Sequence, residues 1–122
     1  MAKTKAQIES EINDAITKFE KEYMGRGPLE TQSFVIDNMI VVRLKGVLTQ
    51  AELQLVKATN QERGRNLVKE VRLELLEKGR PLLAAVVESI TGLEMVSLHT
   101  DISTRTGERL IVFSMSEIIE TA

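Results

Sequence analysis

"QSFVIDNMIVVRLKG", Gln32 to Gly46, reads as two strands around a tight turn. Asp37-Asn38 lies between two apolar, β-rich runs, and both residues tolerate positive φ better than most. With those two as the loop, Val35 opposes Ile40 and Ser33 opposes Val42. Strand side chains alternate between faces. One face therefore collects Val35, Ile40, Val42 and Leu44, the expected core side. Gly46 ends the hairpin.

Upstream, Thr4 and Gln7 form a capping-box pattern. Ile8, Ile12, Ala15, Ile16, Phe19 and Tyr23 follow at helical spacing. The spacing predicts an amphipathic helix over residues 4–23, its charges on the other face. "GRGP", Gly25 to Pro28, stops it: Gly25 can take the left-handed conformation of a helix end, and Pro28 cannot continue a helix.

Downstream, "TQAE" (Thr49 to Glu52) is a second capping box, opening a short helix through Lys57. From Gln61 the chain is helical again, with Leu67, Val68, Val71 and Leu75 as its apolar arc. Gly79 and Pro81 interrupt this run; Pro81 fits the first residue of a new helix or a kink in a continuous one. Gly92 ends it. "EMVSLHTDI" and "ERLIVFSM" are two further strands, joined by the polar "STRTGE" turn. The tail beyond them is a short helix or coil. The order is α-β-β-α-α-β-β, which predicts an α+β fold of two layers, a four-stranded antiparallel sheet with helices on one face. The alternation puts Val35, Val42, Leu98 and Val112 on its core side. Val96 and Ile102 join Leu98 there, with Thr100 among them.

A chain of 122 residues points to a single domain, residues 1–122. The sequence is 43% hydrophobic with 3% aromatics and no Trp, so aliphatic residues must build the core. The net charge of -2 offers no basic excess for a polyanion, which argues against a nucleic-acid partner. The absence of Cys excludes disulfides, thiolate catalysis and Cys-based zinc sites. One His excludes a multi-His metal site within a chain. No cofactor motif is present. The N-terminus lacks a signal-peptide run, and no stretch reaches the ~20 apolar residues of a membrane span. The expectation is a cytoplasmic protein.

"VSLHTDIS", Val96 to Ser103, carries that histidine. On a strand Ser97, His99 and Asp101 project from one face. They invite comparison with a catalytic triad, but residues i and i+2 on a strand lie roughly 6.5–7 Å apart and point in parallel. A triad needs its members hydrogen-bonded in series, beside an oxyanion hole. A solvated or interface-facing strand side is the better reading. Asp101 is expected across the hairpin from Arg109, as a surface pair. "GRGP" is also a candidate anion nest with Arg26, although it lacks the Lys-Ser/Thr and following helix of a P-loop. On the helix from Gln61, Arg65, Lys69 and Arg72 form a basic stripe on one flank of the apolar arc, and Glu70, Glu74 and Glu77 an acidic one on the other. Leu73 and Leu76 fall outside the arc. The candidate ligand-binding residues are thus Arg26, Arg65, Ser97, His99 and Asp101, with no catalytic or metal residue assigned.

From "GRGPLETQSFVIDNMIVVRLKGVLTQAE" through "GRNLVKEVRLELLEKGRPLLAAVVESITG" to "VSLHTDISTRTGERLIVFSM" the chain resembles the MpsC-like family, over roughly residues 5–118. The marks are the "GRGP" turn, "VVRLKGVLT", the "GR-LVKEVR" helix with its later "RP", and "SLHTDIS" before "GE--IVF". That family, long a domain of unknown function, is named for a component of a bacterial sodium-translocating, membrane-potential-generating system. The resemblance implies a bacterial or archaeal cytoplasmic domain, peripheral to the inner membrane, beside an ion or inorganic-carbon transport system. It carries no catalytic residues over.

Two function classes follow. The favoured one is a non-enzymatic regulatory or adaptor module that self-associates and binds a partner protein or small anion. The alternative is a small hydrolase or transferase using His99 and Asp101. A homodimer is expected, through the helix containing Arg65 to Leu76 or through a sheet edge, since "MIVV" and "LIVF" carry no blocking charge.

Overall fold

A computed structural model describes residues 2–57 and 61–122. Thr4 and Gln7 cap the first helix reciprocally, backbone to side chain in both directions, and α1 runs Lys5–Tyr23. Gly25, at φ 85, turns the chain out of it. β1 (Glu30–Ile36) and β2 (Met39–Lys45) follow. Their register is that of an Asp37-Asn38 loop, with Val35 opposite Ile40 and Ser33 opposite Val42. Thr49 and Glu52 cap α2, Gln50–Lys57. α3 (Gln61–Thr91) is one continuous helix with Pro81 inside it. β3 (Met95–Ile102) and β4 (Arg109–Met115) complete the chain. The tail is not helical; it returns to the first hairpin, where the Ile119 N–H donates to the Asp37 carbonyl.

The sheet is antiparallel, in the order β1-β2-β4-β3. α1 and α3 cover one face, and α2 packs on α3. Val35, Ile40, Val42, Leu44, Leu98, Ile102, Ile111 and Phe113 fill the space beneath them with Ile8, Ile12, Ile16 and Phe19.

Four expectations are corrected. Val112 lies on the opposite side of β4, because Arg109, Ile111, Phe113 and Met115 take the inward positions. Val96 is 67% exposed, because the β3–β4 register shifts between Met95 and Ser97 and turns it out of the ladder. The inward line of α3 is Gly64, Val68, Arg72, Leu76, Gly79, Leu83 and Val87. The helix is thus rotated from the arc read in sequence, and Leu67 and Val71 are exposed. "MIVV" and "LIVF" are the two central strands, so β1 and β3 form the edges.

Gly79 does not interrupt α3. A Cβ there would run into the Phe19 ring, so glycine lets α1 and α3 close on each other. Gly64 plays the same part against α2, where a Cβ would meet the Leu55 carbonyl oxygen.

Candidate functional site

Three charged residues occupy inward positions on three different elements. Glu20 continues the line Ile8, Ile12, Ile16 along α1 at a spacing of four; Arg72 extends the inward line of α3 at the same spacing, and Arg109 that of β4 at a spacing of two. Their side chains are 0%, 2% and 2% exposed respectively. Burial of unpaired charge is prohibitive, so such groups must meet. Arg72 is held by Glu52 in a bidentate pair, with Nε donating to Oε2 at 2.7 Å and Nη2 to Oε1 at 2.7 Å. Its Nη2 also donates to the Val47 carbonyl at 2.6 Å. Arg109 Nε donates to Thr100 Oγ1 at 3.2 Å, and that hydroxyl donates to the Leu110 carbonyl.

Glu20 lies between the two arginines at longer range. Its carboxylate oxygens are 3.7 Å from Arg72 Nη1 and 3.9 Å from Arg109 Nη1. Neither separation is a hydrogen bond. All four of these atoms are buried without a hydrogen-bond partner. Burial pushes the Glu20 carboxyl above its ordinary range, against the pull of Arg109 and Arg72. Glu52 is also raised by burial, but hydrogen bonds from Arg72 and Thr49 outweigh that and hold it below its ordinary range. Burial lowers Arg109, opposed by the charge of Glu20.

Beside this cluster, a cleft of about 220 Å³ opens between α3, β3 and β4. Lys69 and Arg72, Thr100 and Asp101, and Arg109 line it, with Leu73 and Ile102 as its apolar wall. At the mouth, Lys69 Nζ stands 3.5 Å from Asp101 Oδ1.

The residues singled out in the sequence lie elsewhere, apart from Asp101. Arg26 Nη1 donates to the Leu48 carbonyl at 3.1 Å, tying the turn after α1 to the segment after β2. Arg65 is exposed near the start of α3. Ser97 and His99 stand on the sheet face that carries no helix, opposite Ser114 and Val112. No hydrogen bond joins Ser97, His99 and Asp101. Asp101 is opposite Leu110 rather than Arg109; its Oδ1 accepts the Ile102 N–H. The expected surface pair fails because Arg109 points inward, toward Glu20. Among the described residues, no group of three or more His, Asp or Glu side chains could hold a metal ion.

Sequence reasoning passed over Glu20 and placed Arg72 and Arg109 at the surface, in a basic stripe and in a pair with Asp101. The available signal was a charge on each of three otherwise buried lines.

The helix-free face is the second candidate. Phe34, Ile36 and Leu110 are 44%, 47% and 42% exposed there, around half-buried Met39, Val41 and Val112. Charges stand at one end, in the pairs Arg43–Glu108 and Lys45–Glu30.

Residues 4–117 match the family described as "Na+-translocating membrane potential-generating system (MpsC)". The chain is similar to the uncharacterized protein YbcI of Bacillus subtilis (strain 168), 42% identical over 120 residues, 98% of this chain and 94% of that one. It is also similar to the uncharacterized protein YrhF of the same organism, 31% identical over 114 residues, 90% of this chain and 88% of that one. No solved structure matches it.

Proposed function

The chain belongs to the MpsC family, and from that premise we propose that it is a non-enzymatic adaptor that self-associates through the helix-free face of its sheet. The family's description ties it to a membrane ion-translocating system. Among the described residues no helix is long and apolar enough to cross a membrane, so the proposed role is peripheral, at the surface of such a system.

The observation that carries the reading is the apolar centre of that face. Phe34, Ile36, Met39, Val41, Leu110 and Val112 form a contiguous patch across three strands, with the charges confined to its rim. Charge depletion at the centre with a polar rim is the anatomy of a protein interface. The proposed occupant is a second copy, as in face-to-face sheet packing. Four strands about 4.8 Å apart and seven residues long give a flat footprint of about 450 Å². Two copies cover about 900 Å² before side-chain relief is added, close to the ~1,000 Å² a specific interface needs.

The sheet edges are poorer routes. On β1, Glu9 accepts the outward Val35 N–H, Asn13 accepts from Ser33 and Thr17 bonds Thr31, so a polar stripe of α1 covers the edge. On β3, the irregularity at Val96 and the exposed Asp101 blunt pairing. The hydrolase reading draws no support from Ser97, His99 and Asp101, which share no hydrogen bond.

Light scattering on purified protein tests the proposal. The expected result is a dimer at micromolar concentration, converted to monomer by Phe34→Glu with an unchanged circular dichroism spectrum. Val71→Glu, on the exposed stripe of α3, should leave the dimer intact. A wild-type monomer, or a dimer broken by Val71→Glu but not by Phe34→Glu, overturns it.

A further inference from the structure

We propose that the cleft between α3, β3 and β4 binds one small free oxyanion, held by the guanidinium groups of Arg72 and Arg109 and by the ammonium of Lys69.

Arg72 and Arg109 each leave Nη1 buried without a partner, beside two Glu20 oxygens in the same condition. An unsatisfied buried polar group costs about 1–3 kcal/mol, and more when charged. Of these four atoms the two Nη1 groups are donors that an anion can meet, whereas the Glu20 oxygens are acceptors and can bond one only when protonated. Both arginines line the cleft. Its 220 Å³ corresponds to about seven waters at about 30 Å³ each, enough for a tetrahedral anion with a few waters. Guanidinium donors suit such anions by geometry and charge. The arginine side chains are also held in place: Glu52 and the Val47 carbonyl fix Arg72, and Thr100 fixes Arg109. Both Nη1 donors are buried, which favours a free ion over a headgroup tethered to a membrane surface.

Arg72, Arg109 and Lys69 are balanced by Glu20, Glu52 and Asp101, so the fully ionised cluster is neutral. Glu20, on α1, is faced by Arg72 from α3, Arg109 from β4 and Glu52 from α2. Burial already favours its protonated form. A proton taken up there leaves the cluster positive and frees both Nη1 groups for the anion. Binding is therefore coupled to proton uptake and tightens as pH falls. At the mouth, the exposed Lys69–Asp101 pair is weak and opens at little cost; Asp101, 83% exposed, turns to solvent, which limits its repulsion of the anion.

Calorimetric titration with sodium sulfate, against chloride at constant ionic strength, tests this on the intact chain. Sulfate keeps its charge from mildly acid to neutral pH, so any pH effect belongs to the protein. The expected result is saturable one-site binding, tighter at acid than at neutral pH and at least about tenfold weaker in Lys69→Glu. That variant changes a half-exposed side chain and should keep the fold. A crystal structure with sulfate should show it bonded to Nη1 of both arginines. No saturable binding at millimolar sulfate, equal affinity in Lys69→Glu, affinity that does not change with pH, or ordered water alone in the cleft would each overturn the proposal. The cleft lies on the helix side of the sheet, so none of these outcomes bears on self-association through the opposite face.

Discussion

Arg72→Met separates the two readings of α3 most sharply. On a solvated basic stripe with Arg65 and Lys69, the substitution would cost no more than about 0.5 kcal/mol. In the structure it leaves Glu52 without its bidentate partner, removes one of the two cations facing Glu20, and orphans the Val47 carbonyl. Breaking a buried ion pair by removing one partner costs about 3–5 kcal/mol, and an orphaned buried carbonyl adds about 1–3 kcal/mol. A loss of about 4–8 kcal/mol is expected, a large part of the ~5–15 kcal/mol of a typical domain. Urea unfolding followed by circular dichroism reads it directly. With a slope of about 2 kcal/mol per molar, the midpoint should fall by about 2–4 M. Lys69→Met, one turn away and half-exposed, should shift the midpoint by less than about 0.5 M on the same slope. Glu52→Gln combined with Arg72→Met removes the stranded carboxylate and should be more stable than Arg72→Met alone. Equal midpoints for Arg72→Met and Lys69→Met would refute the buried network.

Gly79→Ala should destabilise by about 1–3 kcal/mol, the usual cost of overpacking, since its Cβ meets the Phe19 ring; thermal unfolding checks this. His99→Ala should leave the melting temperature within a degree or two and remove no ester or phosphoester hydrolysis, because His99 is exposed and shares no hydrogen bond with Ser97 or Asp101. The acid limb of stability should depend on Glu52. Its folded value lies below 4.5, so its contribution is present above pH 4.5 and is lost as pH falls through the folded value. Glu20 has the opposite sign: raised above 4.5, it contributes stability below that pH and loses it as pH rises through the folded value. Unfolding free energies of Glu52→Gln and Glu20→Gln measured across acid and neutral pH should flatten these two limbs separately.

The local elements were written in short-range chemistry. The capping boxes at Thr4 and Thr49, the Asp37-Asn38 turn, the stop at Gly25 and the alternation of Val35, Ile40, Val42 and Leu44 each depend on neighbours within a few residues, and each is found in the structure. They determined the element order and the α+β class. The sequence alone left open whether Pro81 starts a helix or sits within one.

The orientation of elements was another matter, because it depends on partners distant in the chain. In "RLIVF" both faces of β4 are apolar, so alternation could not choose between Val112 and Ile111. Hydrophobicity also ranked Arg109 and Arg72 as surface residues, which turned β4 over and rotated α3. Gly64 and Gly79 on α3 gave no apolar signal, although they mark its inward line. Only when α1 delivers Glu20, and α2 delivers Glu52, do these arginines have a reason to be inside. A buried charge is tolerable only beside its counter-charge, and tertiary structure brings residues 20, 52, 72 and 109 to one place.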